Sequence, residues 1–471
     1  MAITRRQFVT RLGALAAATG MGQADLAKIT QAFAHGNTLW ATKKPKVVWV
    51  HGAECTGCST SLLGLFENAG GLAVEDTRLT DPFALGGVTT GAALGLIGKL
   101  DGHALSPQPH GHRTITETRA IAGVDFDGEG NADTAAIVNI ADVLIDFIDL
   151  QYHETVMGSG GDLAYQWLAD NMYNGSADPF VLVVEGAVQA NNKTAAWPGQ
   201  TSGAPWCSVG MDANAHSVPV DFSTSLNGPQ AHEGELPFDE VVTLLAKQAT
   251  GIIAIGQCAC YGGYPAAVSP FYGDKQTPAF GVYDFLAQSA LTDVAPNFYK
   301  STAMSKVINV PGCPTNPWWF VLTTVLFLVD AVNGPFKTGG AVDGPLGILG
   351  SNGIPKATAI DYGRRLKHVY GTPVHGPACP RYKSFTGGVF AENPGDDGCL
   401  LNLGCKGPAT NSLCSLHGWN GRQPRNTATW DYDVAADQGN KRGGFCVTAG
   451  HPCMGCTEKG YPDSYVPFVN R

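Results

Sequence analysis

The sequence is poor in charge. Only 15% of its 471 residues are Asp, Glu, Lys or Arg, and 30 basic residues face 40 acidic ones, a net charge of −10. That balance excludes the broad basic surface that nucleic acid requires. With 44% hydrophobic residues the chain is not of the disordered class either. Low charge on so long a chain fits a surface partly covered by a partner. No apolar run reaches the roughly 20 residues needed to cross a bilayer. The best candidate, Trp318 to Val329, reads as a buried helix, so the sequence predicts no transmembrane anchor of the chain's own. Periodic apolar runs also vanish after about residue 365, where Gly, Pro, Asn and Asp take over. A stretch that poor in core-forming residues needs another staple, and bound metal is one.

Glycine (60 residues) and cysteine (13 residues) are what the chain has instead. Glycine allows tight turns and loops that pass close to something bulky. An odd cysteine count argues against a pure disulfide framework.

The first 34 residues read as an address. Thr4-Arg5-Arg6-Gln7-Phe8-Val9 is a twin-arginine motif, a weakly apolar stretch runs from Leu12 to Met21, and Ala32-Phe33-Ala34 is a cleavage candidate. A basic amphipathic helix is the competing reading. Twin-arginine export carries folded proteins, a route suited to a chain whose cofactor is inserted first. The expected location is the periplasm or the outer face of the cytoplasmic membrane.

Short β-branched runs ending in glycine-rich turns recur at 46–52, 181–186, 251–256 and 306–312. Continuous runs of this kind fit strands buried on both faces of a parallel sheet. Helical patterns lie between them, one over Leu62, Leu63 and Phe66 with Ser59 as its cap, another from Phe238 to Gln248. The alternation predicts an open α/β sheet over 46–360. Residues 365–471 form a separate, irregular region. Residues 86–135 and 187–235 read as excursions from the sheet.

Cys55 and Cys58 follow the first strand at once, Cys258 follows the third, and Cys313 follows the fourth. In a parallel sheet the carboxyl ends of the strands share one edge, and ligands bind in the crevice there. Four thiolates can converge at that edge, to hold zinc or an iron–sulfur cluster. The blocks His51-Gly52-Ala53-Glu54-Cys55-Thr56-Gly57-Cys58-Ser59, Gly256-Gln257-Cys258-Ala259 with Gly262-Gly263, and Pro311-Gly312-Cys313-Pro314-Thr315-Asn316-Pro317 resemble, in order, the signature blocks of nickel–iron hydrogenase small subunits of the uptake type. The resemblance implies a flavodoxin-like, doubly wound sheet. It also implies that Cys55, Cys58, Cys258 and Cys313 hold a proximal four-iron cluster, nearest the nickel–iron centre of a large-subunit partner.

The same resemblance implies two further clusters in the C-terminal region. His375, Cys379, Cys399 and Cys405 match the distal site. The family usually places two residues between that histidine and cysteine, and here three intervene. Cys414, Cys446, Cys453 and Cys456 match the medial site. That site commonly holds three irons, with a proline where Cys446 stands. Four thiolates predict a four-iron cluster, as in the selenium-containing branch, with a three-iron cluster as the alternative. Eleven cysteines and one histidine thus fill three sites, all expected to be [4Fe-4S], leaving Cys207 and Cys260. The implied activity is electron relay between the partner's hydrogen-splitting site and an acceptor such as a cytochrome c or a membrane quinone-reducing subunit. No residue of this chain is expected to be catalytic.

Gly57 and Gly263 occupy places where oxygen-tolerant relatives carry extra cysteines, which implies an ordinary proximal cubane. Glu54 could relay protons, face the partner or bond nearby backbone. Glu185 reads as structural. His451 could bond a cluster sulfur or pack in a turn. Cys207 and Cys260 read as buried thiols, though Cys260 competes with Cys258 as a ligand. Trp318 and Trp319 read as core or interface anchors. The run Gly158-Ser159-Gly160-Gly161 is too weak a nucleotide-loop signal. Three other classes compete: a related quinone-reducing subunit, which generally lacks the C-terminal clusters; a zinc-stapled structural protein; and a secreted disulfide protein.

Overall fold

The computed structural model describes residues 45–63, 148–160, 163–164, 168, 179–189, 207–211, 235–267, 279–287, 303–334, 342–417, 419 and 445–462. The expected leader 1–34 and the excursion 86–135 lie outside the described residues, as does most of 187–235.

Strand β1 (Lys46–His51) is buried from Val47 onward and runs into helix α1 (Gly57–Leu63). Then come β2 (Asp149–His153), β3 (Phe180–Glu185) and the short β4 (Val188–Gln189). β5 (Ser208–Met211) pairs with β6 (Glu235–Pro237), which leads into α2 (Phe238–Gln248) and β7 (Gly251–Ile255). Helix α3 (Gly256–Tyr261), β8 (Ala279–Phe280), α4 (Val282–Leu286), β9 (Val307–Val310) and α5 (Pro317–Asn333) complete this part.

Five strands make one parallel sheet in the order β2-β1-β3-β7-β9. Renumbered by their own succession this is 2-1-3-4-5, the flavodoxin-like order, whose switch point lies between β1 and β3. Alternate side chains of one strand feed opposite cores. Val47, Trp49, Val181, Val183, Ile253 and Ile308 face α1 and α5, where Trp49 meets Phe320 at 5.0 Å between ring centroids. Val48, Val50, Leu182, Val184 and Ile252 face α2 and α4. Such large side chains contribute about 1.5–3 kcal/mol each on burial. This double burial is why the strands read as unbroken apolar runs rather than alternating ones.

Beyond residue 342 the chain turns constantly, with only the single-turn helices α6 (Lys367–Tyr370), α7 (Tyr382–Thr386) and α8 (Cys414–His417) and two 3₁₀ turns among the described residues. Its own core is small, and Cys379 and Cys453 are members of it. Among the described residues no helix is long and apolar enough to cross a membrane.

Candidate metal centres

Strands β1, β7 and β9 end at one edge of the sheet, and the loops that leave them carry Cys55 and Cys58, Cys258, and Cys313. Burial raises the Cys258 thiol pKa to about 12, and the neighbouring sulfurs of Cys313 and Cys55 add to it. Burial likewise lifts Cys58 well above the usual thiol range, with Glu185 and Cys258 contributing. The four thiols therefore share one crevice. Its lining leaves no room for larger residues: a Cβ on Gly256, whose φ is +85°, would sit 2.5 Å from the Cys58 sulfur. Cβ atoms on Gly57 and Gly263 would come within 2.9 Å of the Cys55 and Cys258 sulfurs. Backbone N–H groups point at the sulfurs: Thr315 donates to Cys58 at 3.4 Å, and Tyr264 to Cys258.

A second group gathers from the last turns of the chain. Burial raises Cys414 to about 12, with Cys446 as a neighbour. Burial lifts Cys456 well above the thiol range, and Cys414, Cys453 and Cys446 push it further. Cys446 thus lies with the other three. Ser412 Oγ donates to the Cys414 sulfur at 3.1 Å, and the N–H groups of Gly455 and Met454 point at Cys453 and Cys446.

In the third group burial raises Cys379, with Cys405 and Cys399 beside it. Arg381 and Gly407 point their N–H groups at the Cys379 and Cys405 sulfurs. His375 joins this group through the turn at Gly407, whose Cβ would lie 3.5 Å from both the His375 Cβ and the Cys405 sulfur. The His375 ring packs edge-on against Phe385 and Tyr382, burial lowers its pKa, and its Nε2 is buried without a hydrogen-bond partner. An orphaned imidazole nitrogen beside three thiols has the chemistry of a metal ligand.

The three groups form a row. The Cys313 backbone lies against the Cys456 thiol, bringing the second group beside the first. The Cys453 N–H donates to the Cys405 sulfur at 3.2 Å, joining the second to the third.

All thirteen thiols are free, which removes the disulfide reading. Cys260 lies on the opposite face of its turn, fully buried, its thiol donating to the Ala254 carbonyl at 3.2 Å. Cys207 packs against the α2 side of the sheet. His451 is exposed and its ring meets the Pro452 carbonyl. Trp319 is a core residue, edge-on to Tyr370. The Trp318 side chain and Gly161 lie outside the described residues.

Sequence reasoning missed a buried polar knot at the switch point. Glu185, at the end of β3, accepts from the amides of Cys58 and Ser59 at 3.1 Å and from the Ser59 hydroxyl at 2.5 Å. It caps α1 from across the sheet, so Ser59 stands inside the helix rather than at its cap. Glu54 bonds side chains, Thr56 Oγ1 at 3.1 Å and His51 Nδ1 at 3.2 Å, not backbone. Burial opposes the charged form of His51, but Glu54, Glu185 and Glu154 outweigh it and raise its pKa. Among the described residues, His51, Glu54 and Glu185 are the one group of three metal-capable side chains with ligand atoms all within 4.8 Å, and no three cysteine sulfurs among them approach that closely.

Two family models match. Residues 132–327 fit the NADH ubiquinone oxidoreductase, 20 Kd subunit, and residues 370–429 fit the C-terminal domain of the NiFe/NiFeSe hydrogenase small subunit. The periplasmic [NiFeSe] hydrogenase small subunit of Desulfomicrobium baculatum is 26% identical over 99% of both chains. Along nearly its whole length the chain resembles the small subunits of nickel–iron hydrogenases. A second member, the periplasmic [NiFe] hydrogenase small subunit of Solidesulfovibrio fructosivorans, is 26% identical over 100% of this chain and 93% of its own. In fold, the solved [NiFeSe]-hydrogenase of Dm. baculatum matches with a TM-score of 0.52 at 24% identity, covering 91% of this chain and all of that one. The actinobacterial-type NiFe-hydrogenase of Ralstonia eutropha H16 matches with a TM-score of 0.51 at 21% identity, covering 91% and 83%. Members of this family are components of an oxidoreductase, which makes this chain one part of an enzyme. The first model spans Cys258 and Cys313, and the second spans His375 through Cys414. Cys55, Cys58, Cys446, Cys453 and Cys456 lie beyond both.

Proposed function

We propose that this small subunit relays electrons between the nickel–iron site of a large-subunit partner and an external acceptor through three iron–sulfur clusters. Cys55, Cys58, Cys258 and Cys313 would hold the proximal cluster; Cys414, Cys446, Cys453 and Cys456 the medial one; His375, Cys379, Cys399 and Cys405 the distal one. Bound clusters supply one-electron redox chemistry, which the side chains of this protein do not. The carrying observation is the row itself, three ligand groups, part-buried to buried apart from the exposed Cys55, linked by Cys313 to Cys456 and by Cys453 to Cys405.

The donor set supports clusters over zinc. Four sulfurs about 2.3 Å from one tetrahedral zinc lie about 3.8 Å apart, whereas among the described residues no three cysteine sulfurs lie within 4.8 Å of one another. Amides aimed at the sulfurs also suit a cluster, whose potential they tune. The protein's part is to hold buried thiols such as Cys58, Cys453 and Cys456 where a bare thiolate is costly, so that bound iron replaces the proton. Cys446 as fourth medial thiol favours four irons there, three being the alternative.

A splitting step in the partner releases two protons and two electrons per dihydrogen, and the electrons leave by this chain one at a time. The acceptor would be a cytochrome c or a quinone-reducing membrane subunit. Twin-arginine export of the loaded heterodimer to the periplasm accords with the periplasmic relatives. The match over 132–327 also suits a quinone-oxidoreductase subunit, but the C-terminal match over 370–429 favours the hydrogenase reading. The test is visible absorbance of the complex purified natively through this chain. A brown preparation that bleaches under dihydrogen and not under argon is expected. A colourless preparation, or a brown one indifferent to dihydrogen, contradicts the proposal.

A further inference from the structure

Arg365 and Glu458 are both fully buried and paired, with Arg365 Nη1 donating to Glu458 Oε1 at 2.8 Å. Neither is a candidate ligand, yet the contacts of the pair lead to loops that carry one. The same Arg365 nitrogen donates to the carbonyl of Thr457, the residue after Cys456, at 2.9 Å. Glu458 Oε1 accepts the Asn411 amide at 2.6 Å, and Glu458 Oε2 accepts the Tyr362 hydroxyl at 2.6 Å. Asn411 is three residues before Cys414. The Glu458 carbonyl accepts from the side-chain amide of Gln257 at 2.8 Å. Gln257 precedes Cys258, and its own N–H donates to the carbonyl of Gly312, which precedes Cys313.

The other side of Arg365 is anchored to the sheet. Its Nε donates to Asp361 Oδ2 at 2.7 Å, while Asp361 Oδ1 accepts the Arg365 amide at 2.9 Å. Arg365 also makes a parallel bridge to Asn309 in β9. Arg365 thus ties the sheet edge, through its backbone bridge, to the loop bearing Cys453 and Cys456, through its guanidinium, and one carboxylate-bearing residue ties that loop to the proximal loops. A buried ion pair of this kind is a poor source of net stability compared with an apolar pair. Its directional hydrogen bonds fix geometry instead. Glu458 stands two residues from a medial thiol and the guanidinium bonds the residue between them, in a setting that screens charge little.

We infer that Arg365 and Glu458 are positioning residues of the electron relay, holding the medial thiol loop against the proximal one and setting the electrostatic level of the medial site. The inference rests on the three-cluster reading above. Removing the carboxylate charge should make the medial site easier to reduce, and removing the guanidinium charge should make it harder.

The test uses the complex purified natively through the full chain as wild type, E458Q, R365M and R365K. Iron per chain is measured first, then the midpoint potentials of the medial and distal sites by redox titration followed by electron spin resonance. E458Q, which keeps the side-chain shape, should retain its iron and show a raised medial potential with the distal one unmoved. R365M should shift the medial potential downward, and R365K should stay near wild type. Medial potentials that do not move, or that move the same way in E458Q and R365M, overturn the inference while leaving the three-cluster reading intact. Should R365M lose iron, E458Q decides: a raised potential supports the inference and an unchanged one overturns it. Wild-type complex without iron is a separate outcome that removes the three-cluster reading, and the inference with it.

Discussion

The backbone amide of Cys453 donates to the sulfur of Cys405 at 3.2 Å, so the backbone of one proposed medial ligand meets the thiol of a proposed distal one across a single hydrogen bond. Clusters held by the two residues would be neighbours. Cys405→Ala should therefore remove the distal irons and also shift the medial spin-resonance signal, leaving the proximal signal unchanged. A medial signal identical to wild type would contradict the contact.

In the proposed medial site, Cys446 would decide the nuclearity. Its thiol, raised by burial, lies beside Cys414, Cys453 and Cys456. Cys446→Pro should lower the iron content by about one per chain and introduce a spin-resonance signal in the oxidised state. An unchanged iron count and an unchanged oxidised spectrum would remove Cys446 from the ligand set.

Glu185 holds the start of α1 and with it Cys58. Glu185→Ala leaves two buried amides and the Ser59 hydroxyl without their acceptor. Each unsatisfied buried group costs about 1–3 kcal/mol. The complex should melt at lower temperature and lose proximal irons first. A melting temperature within error of wild type would show that the cap contributes nothing.

Gly256 stands where no side chain fits. Its φ of +85° is strained for any residue with a Cβ, at about 1–2 kcal/mol, and the Cβ would lie 2.5 Å from the Cys58 sulfur. Gly256→Ala should yield complex depleted of about four irons. Full iron content would mean that the turn re-forms around the methyl group.

His153 gives a pH dependence of known sign. Burial lowers its pKa to about 3, and His51 lowers it further. The unfolded chain, with a histidine near 6.5, binds this proton first, so stability falls as pH drops from about 6.5 toward about 3, by up to about 1.4 kcal/mol per unit. Replacement by Gln should flatten that slope relative to wild type in chemical unfolding curves between pH 6.5 and 5. Parallel slopes would show that His153 protonates equally well in the folded state.

Much of the sheet is legible because double burial writes it as β-branched runs. Val181 to Glu185 and Gly251 to Ile255 stand where the sequence places them, as does the helix from Phe238 to Gln248. The long helix is read as Trp318 to Val329 and runs from Pro317 to Asn333. Strand β2 is not legible, because its Asp149 and His153 break the apolar run. The cysteines are legible by type and by their places at strand ends. Their supports are not: Glu185 acts 126 residues away from Ser59, and Glu458 meets Arg365 across 93 residues. A carboxylate's burial depends on partners that no local pattern records. Cys260 illustrates the same limit, since only the three-dimensional turn shows its thiol facing Ala254 and the apolar core.

In the proposed function, twelve residues hold three clusters in a chain paired with a hydrogenase large subunit. Elemental analysis of the complex purified natively through this chain tests it most directly. About twelve irons per chain and one nickel are expected, with iron near eleven marking a three-iron medial site. Zinc with little iron and no nickel would contradict it.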